Sequence, residues 1–481
     1  MSISSSLSNA TSGMTAASRS AEIISSNVAN SLTEGYGRRT LNLSSAVVGG
    51  LGAGVEIGSV NRHVDRGILA DRRLADASLG GFESLVSSMG RIEDIVGRVG
   101  EGGSISSRIV DLESALIDAA VDPSSSTRLS TVNDRLTSLT DGLNDASKNI
   151  QSLRTEIDGS IADQISVLNS SLAQVEKLNS DILNAQNSGV DPSGFLDQRQ
   201  MIIDQIAEIV PLREMNRDGG RVALVTADGE TLLDGKARVF GFTESPVIIA
   251  DMTVQSGGLS SITLDGLPIA TDGIGKLAGG TLGAAFQTRD VELVAVQSGL
   301  DVIAADLINR FQDPSVDLSL AAGDAGLLTD NGSAYNAANV LGLAGRISVN
   351  AAVNPDQGGA LTKLRDGLNA TTAGLTGDSS LILSLSAALA APTSATADTP
   401  SLSAAGRAAD LEAEIGVQRL DFESSLSFAN ARWSSLKEAE AAEGVDTDFE
   451  LQMLLRVEQA YAANARVIQA VETMIQRLLE I

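Results

Sequence analysis

The chain of 481 residues has no cysteine and a single histidine, His63. Without thiols there is no disulfide framework, no thiolate nucleophile, no iron–sulfur cluster and no Cys-based zinc site. One histidine cannot build a His-rich metal centre or the paired-His helix of zinc proteases. A Ser-His-Asp triad would have to use His63, in Val60-Asn61-Arg62-His63-Val64-Asp65, yet the chain holds no G-x-S-x-G elbow. His63 reads as a partly exposed structural residue, and no catalytic residue, metal site or cofactor is expected. Aromatics make up only 3%, so the 43% of hydrophobic residues is mostly Ala, Leu, Ile and Val, as in long helices.

Basic charge is also in short supply, with 34 Lys and Arg against 61 Asp and Glu, a formal charge of −27. That balance argues against a nucleic-acid backbone as partner, and against docking on an anionic membrane. No run approaches the ~20 apolar residues of a membrane span. The first twenty residues hold eight serines and one basic residue, Arg19, unlike a cleaved secretory signal. Either the chain stays in the cytoplasm, or an export machine reads an uncleaved N-terminus.

Glycine is unevenly spread: thirteen fall in 211–283, but only Gly142 and Gly159 in 129–187. The glycine-rich part reads as strands and turns. Arg221-Val-Ala-Leu-Val-Thr-Ala227 is followed by Asp228-Gly229, then Glu230-Thr-Leu-Leu233 and Asp234-Gly235, a strong hairpin pattern. Further strand candidates are 239–242, 247–249 and 261–264. The glycine-poor part reads as one long helix. Its stripe runs Leu129, Val132, Leu136, Leu139, Leu143, Ala146, Ile150, Leu153 and Ile157, then Ile161, Ile165, Leu168, Leu172, Val175, Leu178, Ile182 and Ala185. The change of step near Gly159 predicts a local bend or change of winding rather than a break. Helical patterning returns at 281–313 and 402–439, whereas 314–400 reads as irregular with short helices. The fold class is mainly α with a β insert, an elongated rod of several domains.

Both ends carry heptad stripes. Ile3, Leu7, Ala10, Met14, Ala17, Ala21, Ile24 and Val28 form one; Leu454, Val457, Tyr461, Asn464, Ile468, Val471, Ile475 and Leu478 form the other. They predict helices of coiled-coil type, with the one polar member, Asn464, fixing register and partner choice. The plainer alternative is that each stripe is the buried face of an ordinary bundle helix. Three of the first eight positions are Ala, so burial in a lone chain returns little against the entropy of ordering the helix. The two ends are expected to complete their order against neighbouring subunits.

Gly273-Ile-Gly275-Lys276-Leu-Ala278 matches G-x-G-x-x-A, but Gly279 and Gly280 follow and no βαβ unit surrounds it, so it reads as a turn. Asp71 with Asp76, and Glu412 with Glu414, have the composition for acid–base work but read as solvated helix faces. Arg62, Arg66, Arg72 and Arg73 are expected to pair at the surface with Asp65 and Asp71, or else across a subunit contact. Asp197 and Arg199 carry the alternatives of an interdomain or an intersubunit contact.

Ser6-Leu-Ser-Asn-Ala-Thr-Ser-Gly-Met14, Ser25-Ser-Asn-Val-Ala-Asn30 and Thr33-Glu34-Gly35-Tyr36 resemble the opening of flagellar axial proteins, without the proline usual in that turn. Glu458-Gln-Ala-Tyr-Ala-Ala-Asn464-Ala-Arg-Val-Ile468 is similar to the closing helix shared by hook, rod and junction proteins. Gly52-Ala-Gly-Val55, Phe195-Leu196-Asp197-Gln198-Arg199, and Gly279-Gly-Thr-Leu-Gly283 with Arg289 and Asp290 resemble the hook-associated protein 1 family, the first of the hook–filament junction proteins. The resemblance implies a non-enzymatic structural component of the bacterial flagellum, secreted by type III export without a cleaved signal. It implies assembly through both terminal stripes with copies of itself, with hook protein, and with the neighbouring junction protein and filament, and an export chaperone at the C-terminal helix. The implied division is 1–45 and 441–481 as the two parts of an assembly domain, 46–210 and 281–440 as a helical rod, and 211–280 as an outward-facing β insert. Alternatives are another axial protein, of the third hook-associated, hook or flagellin type, and a cytoplasmic coiled-coil scaffold.

Overall fold

The computed structural model describes residues 3–48, 51–270, 274–394 and 400–479. Helix α1 (Ile3–Ala29) leads into a long antiparallel hairpin, β1 (Arg38–Val48) and β2 (Leu51–His63), which pairs Arg38 with His63 and Arg39 with Arg62. The sequence reading has no strand here. Two register shifts, between Leu41 and Leu43 and between Ser45 and Val47, break the period-2 alternation that would reveal one. Helix α2 (Arg66–Val96) begins after Asp65, whose carboxylate accepts the N–H groups of Gly67 and Ile68. Helix α3 (Ile105–Val121) is capped by Ser104.

Helix α4 (Ser126–Asn187) follows its Ser125 cap and holds 62 residues, about 93 Å at ~1.5 Å per residue. Every apolar residue of the stripe from Leu129 to Ala185 is buried, and the helix is unbroken at Gly159. Its sides are covered by α3 and by α5 (Ser193–Ile209).

The β segment lies along α4. Strands β3 (Leu212–Asn216), β4 (Val222–Thr226), β5 (Thr231–Asp234) and β6 (Lys236–Ala237) make one antiparallel sheet, with turns at the Asp-Gly steps 228–229 and 234–235. Strands β7 (Phe240–Gly241), β8 (Thr263–Leu264) and β9 (Leu267–Pro268) make a second. One face of α4 supplies polar side chains that take up strand backbone groups. Asn179 accepts from Val222 N–H at 3.1 Å and donates to its carbonyl at 2.9 Å; Asn169 does the same for Phe240 at 2.9 and 2.7 Å. Glu176 accepts from Ala237 N–H and Asp158 from Ser245 N–H. Residues 247–249 are not a strand, contrary to the sequence reading. Ile248 is buried and its N–H donates to Thr155 Oγ1 at 3.1 Å, so the helix replaces a neighbouring strand as partner.

A 3-10 turn at Gly275–Leu277 precedes α6 (Gly280–Gln287); Gly273 lies outside the described residues. The helix starts at Gly280, one residue ahead of the helical patterning of 281–313 and immediately after the Gly-rich turn. The residue has φ +61°, and a Cβ there would lie 2.4 Å from Ile209 O, so only glycine lets α6 approach the end of α5. A π turn, Thr288–Glu292, joins α6 to α7 (Leu293–Phe311). There Arg289 and Asp158 form a fully buried pair, and Arg154 donates to the carbonyls of Arg289, Ile249 and Met252. Residues 314–400 contain the small hairpin β10 (Leu328–Asp330) and β11 (Ile347–Val349), short 3-10 turns, α8 (Lys363–Asp366) and α9 (Ser380–Ala390). Helix α10 (Ala404–Ala442) runs back along α2, and α11 (Thr447–Leu479) closes the described chain. One continuous apolar core runs from Met89 to Ile415 through α4, both sheets and α7. No described helix is long and apolar enough to cross a membrane.

Candidate assembly interface

Helices α1 and α11 pack against each other. Asn464 lies against Gly13, while Glu450 reaches Arg38, nine residues beyond the end of α1, so the two run antiparallel. Of the first stripe, Ala10, Ala17 and Ile24 are buried, Ile3, Met14, Ala21 and Val28 are half-buried, and Leu7 is 37% exposed. Of the second, Val471 alone is buried; Leu454, Val457, Asn464 and Ile468 are half-buried. Tyr461, Ile475 and Leu478 remain 43%, 38% and 61% exposed. The pairing within one chain thus covers part of each stripe and leaves apolar surface along both. Asn464 Nδ2 donates to Ala460 O on its own helix, so its amide satisfies itself locally at the crossing.

The hairpin is clamped to α1. Asn27 is fully buried; its Oδ1 accepts from Arg39 N–H at 3.0 Å and from the Tyr36 hydroxyl at 2.9 Å, and its Nδ2 donates to Arg39 O at 2.8 Å. These bonds give the Asn27 and Tyr36 positions of the N-terminal segment a structural role, fixing how the chain turns out of the helix. Farther along, Ser12 Oγ accepts from Val55 N–H. His63 is exposed, its Nε2 2.8 Å from Thr40 Oγ1.

A chain of arginine–carboxylate pairs ties this terminal unit to the rod. Asp197 accepts from Arg62 Nε at 2.7 Å, Arg39 Nη2 at 2.5 Å and Gly37 N–H at 3.1 Å, so the Leu196–Arg199 segment makes a contact within the chain. Arg62 also donates to Gln200 Oε1 and to Gly35 O. Arg38, 5.0 Å from the Phe449 ring centre, pairs with buried Glu450 at 2.7 Å. Arg72 and Arg73 are buried and do not pair with Asp65 or Asp71, correcting the sequence reading. Arg72 contacts Asp76 on its own helix, Asp204 on α5 and Glu440 on α10, and Arg73 contacts the same Asp204 as well as Glu214 on β3. Asp65 is instead the cap of α2.

Two carboxylates expected on solvated faces are also partnered. Asp76 accepts from Trp433 Nε1 at 2.5 Å, and Glu412, only 2% exposed, accepts from Ser106 N–H and Oγ across from α3. Asp71 and Glu414 are exposed, as expected. The pairs Arg72–Glu440, Asp76–Trp433 and Glu93–Arg419 set α10 antiparallel to α2. Burial pushes the Glu440 carboxyl up, helped by Asp204 and opposed by Arg72. It pushes Asp76 up as well, against Arg72 and the Trp433 bond. Trp433, Glu440, Asp204 and Glu450 are the partners that sequence patterning misses, because their mates lie far away in the chain. Among the described residues, no group of three or more His, Cys, Asp or Glu is placed to hold a metal.

A family profile described as the flagellar hook-associated protein FlgK helical domain matches residues 89–324. The flagella basal body rod protein profile matches 7–36, and that of the flagellar basal body rod FlgEFG protein C-terminal matches 439–481, which are α1 and α11. Flagellar hook-associated protein 1 of Bacillus subtilis (strain 168) is 23% identical over 321 residues, 60% of this chain and 62% of that protein. The protein of the same name from Salmonella typhimurium is 26% identical over 242 residues, covering 48% of this chain and 43% of that one. That from Escherichia coli (strain K12) is 25% identical over 246 residues, covering 48% and 44%. The matches thus span about half the length of these curated relatives. A solved structure described as the flagellar hook junction protein FlgK from Burkholderia pseudomallei aligns with TM-score 0.46 and 17% identity, over 54% of this chain and 46% of that one. With the helical-domain match in the middle, rod-protein matches on both terminal helices and these relatives, the chain is similar to proteins of the flagellar hook-associated protein 1 family.

Proposed function

We propose that the protein is an exported, non-enzymatic structural component of the bacterial flagellum that polymerises at the hook–filament junction and joins hook to filament. One observation carries this reading. The antiparallel pair of α1 and α11 buries only part of its two stripes and keeps Leu7, Tyr461, Ile475 and Leu478 in solvent. A lone chain gains nothing from such surface, whereas a ring or tube of copies covers it. The partners are other copies of the chain, hook protein, the neighbouring junction protein and filament, with an export chaperone on α11. Residues 1–45 and 441–481 act as the assembly domain, and the rod carries the β insert away from the seam.

The seam is tested by Leu7→Asp and Ile468→Asp in cells lacking the native protein. Each variant is expected to vanish from sheared flagella while the purified protein keeps its central helices. Filaments attached in normal number would overturn the seam. In the isolated protein, hydrogen exchange over 3–28 is expected to be faster than in α4 and to slow when copies assemble; protection equal to that of α4 in the lone chain would count against completion by neighbours.

A further inference from the structure

Four arginines, Arg62, Arg66, Arg73 and Arg199, converge on a cavity of about 180 Å³ between β2, α2, α5 and β3, and Glu214 is the one carboxylate on its wall. In a chain of net charge −27 this concentration of cations is an exception. The carboxylates behind the wall are shared outward: Asp197 also serves Arg39, and Asp204 also serves Arg72. Among the described residues, two of the four cations have no carboxylate in contact. Arg199 is 7% exposed, and its Nη1 donates to neutral oxygens, Asn179 Oδ1 at 2.8 Å and Gly220 O at 2.7 Å. Arg66 is exposed and without an ion-pair partner. Arg73, 2% exposed, keeps its Nη2 buried with no acceptor.

An uncompensated buried guanidinium is costly. Burial, together with repulsion from Arg62, Arg73 and Arg66, lowers Arg199 to about 10, with Glu214 opposing. Arg66 is the first residue of α2, where the positive end of the helix dipole disfavours a cation and favours an anion. Burial, charge and helix polarity therefore all lack the same thing, a negative group inside the cavity.

We propose that this cavity is a binding site for one small oxyanion, held by the guanidinium of Arg66 and the free Nη2 of Arg73 beside the charge of Arg199. The oxyanion comes either from solution, as phosphate, or from an acidic side chain of a second copy. The site does not depend on the terminal seam.

The test uses the full chain at constant ionic strength, with sodium phosphate replacing chloride. Calorimetric titration is expected to show one saturable site per chain and thermal unfolding a higher Tm. Arg66→Gln, at an exposed position, is expected to weaken phosphate about tenfold without changing the anion-free Tm, and Arg66→Lys to restore part of the loss. Sedimentation separates the two sources. Phosphate that dissociates copies of the wild-type chain but not of Arg66→Gln supports a side-chain carboxylate, whereas self-association untouched by phosphate supports a free anion. Absence of saturable phosphate binding, or equal binding by Arg66→Gln, overturns the site.

Discussion

Arg62 Nε on β2 and Asp197 Oδ1 on α5 meet at 2.7 Å, with side chains only 14% and 13% exposed. They are 135 residues apart in sequence and join the hairpin clamped onto α1 to a helix packed on the rod. Asp197 holds Arg39 through its other oxygen and Gly37 N–H through the first. One carboxylate thus holds three groups of the hairpin segment to α5.

Asp197→Ala leaves both guanidinium groups uncompensated in a site that is largely dry. The expected cost is about 3 kcal/mol, felt at this joint and not in the α4 core. Hydrogen exchange should rise over β1 and β2 and stay constant in α4. Unchanged exchange in the hairpin would mean that the apolar contacts of α1 hold the joint without the ion pairs.

The α2–α10 contact has a pH dependence of definite sign. Glu440 Oε2 lies 2.7 Å from Arg72 Nε, yet burial raises its carboxyl above the ordinary 4.5, with Asp204 adding to the rise. The folded chain therefore binds this proton more firmly than the unfolded chain. Stability from the group is fully present below about 4.5 and is lost as pH rises through the raised value. Glu440→Gln, which keeps an acceptor for Arg72, is expected to flatten this slope and to be no less stable than the wild type at pH ~7. Denaturant titrations of both proteins across that window measure it; a steeper decline in the variant would contradict the argument.

The α4 stripe, the α10 segment and the hairpins at the Asp-Gly steps are legible in the sequence because apolar periodicity and turn chemistry are local signals. What stays hidden is the pairing of polar groups. Asp76 and Glu412 look like any charge on a helix surface until Trp433 and Ser106 arrive from elsewhere in the chain. The same is true of Asn169 and Asn179, which look solvated but dock the β strands against α4. The N-terminal hairpin escapes for another reason, since its bulges erase the alternation that marks a strand.

Asn179 makes the cost of that hidden pairing measurable. It holds both the N–H and the carbonyl of Val222, and its Oδ1 also receives Arg199. Asn179→Ala leaves those groups buried without partners, at an expected cost of about 3 kcal/mol. The change should appear in denaturant unfolding, with exchange rising first in β3 and β4. A loss below roughly 1 kcal/mol would show that water reaches Val222 and replaces the amide.

Gly13 sets how closely the terminal helices approach. A Cβ at this position would lie 2.7 Å from Asn464 Nδ2 and 2.9 Å from its Cγ. A single methyl can be met by a turn of the Asn464 side chain, but a branched four-carbon group cannot fit without parting the helices. Gly13→Leu is therefore expected to cost about 2 kcal/mol at the α1–α11 contact, although leucine is the better helix former. Far-ultraviolet dichroism should stay near the wild-type value, while exchange rises along α11 from Val457 to Val471. Asn464→Ala in the same chain opens space opposite the new side chain and should recover part of the loss. If Gly13→Leu alone left exchange in α11 unchanged, the close approach of the two helices at this crossing would be refuted.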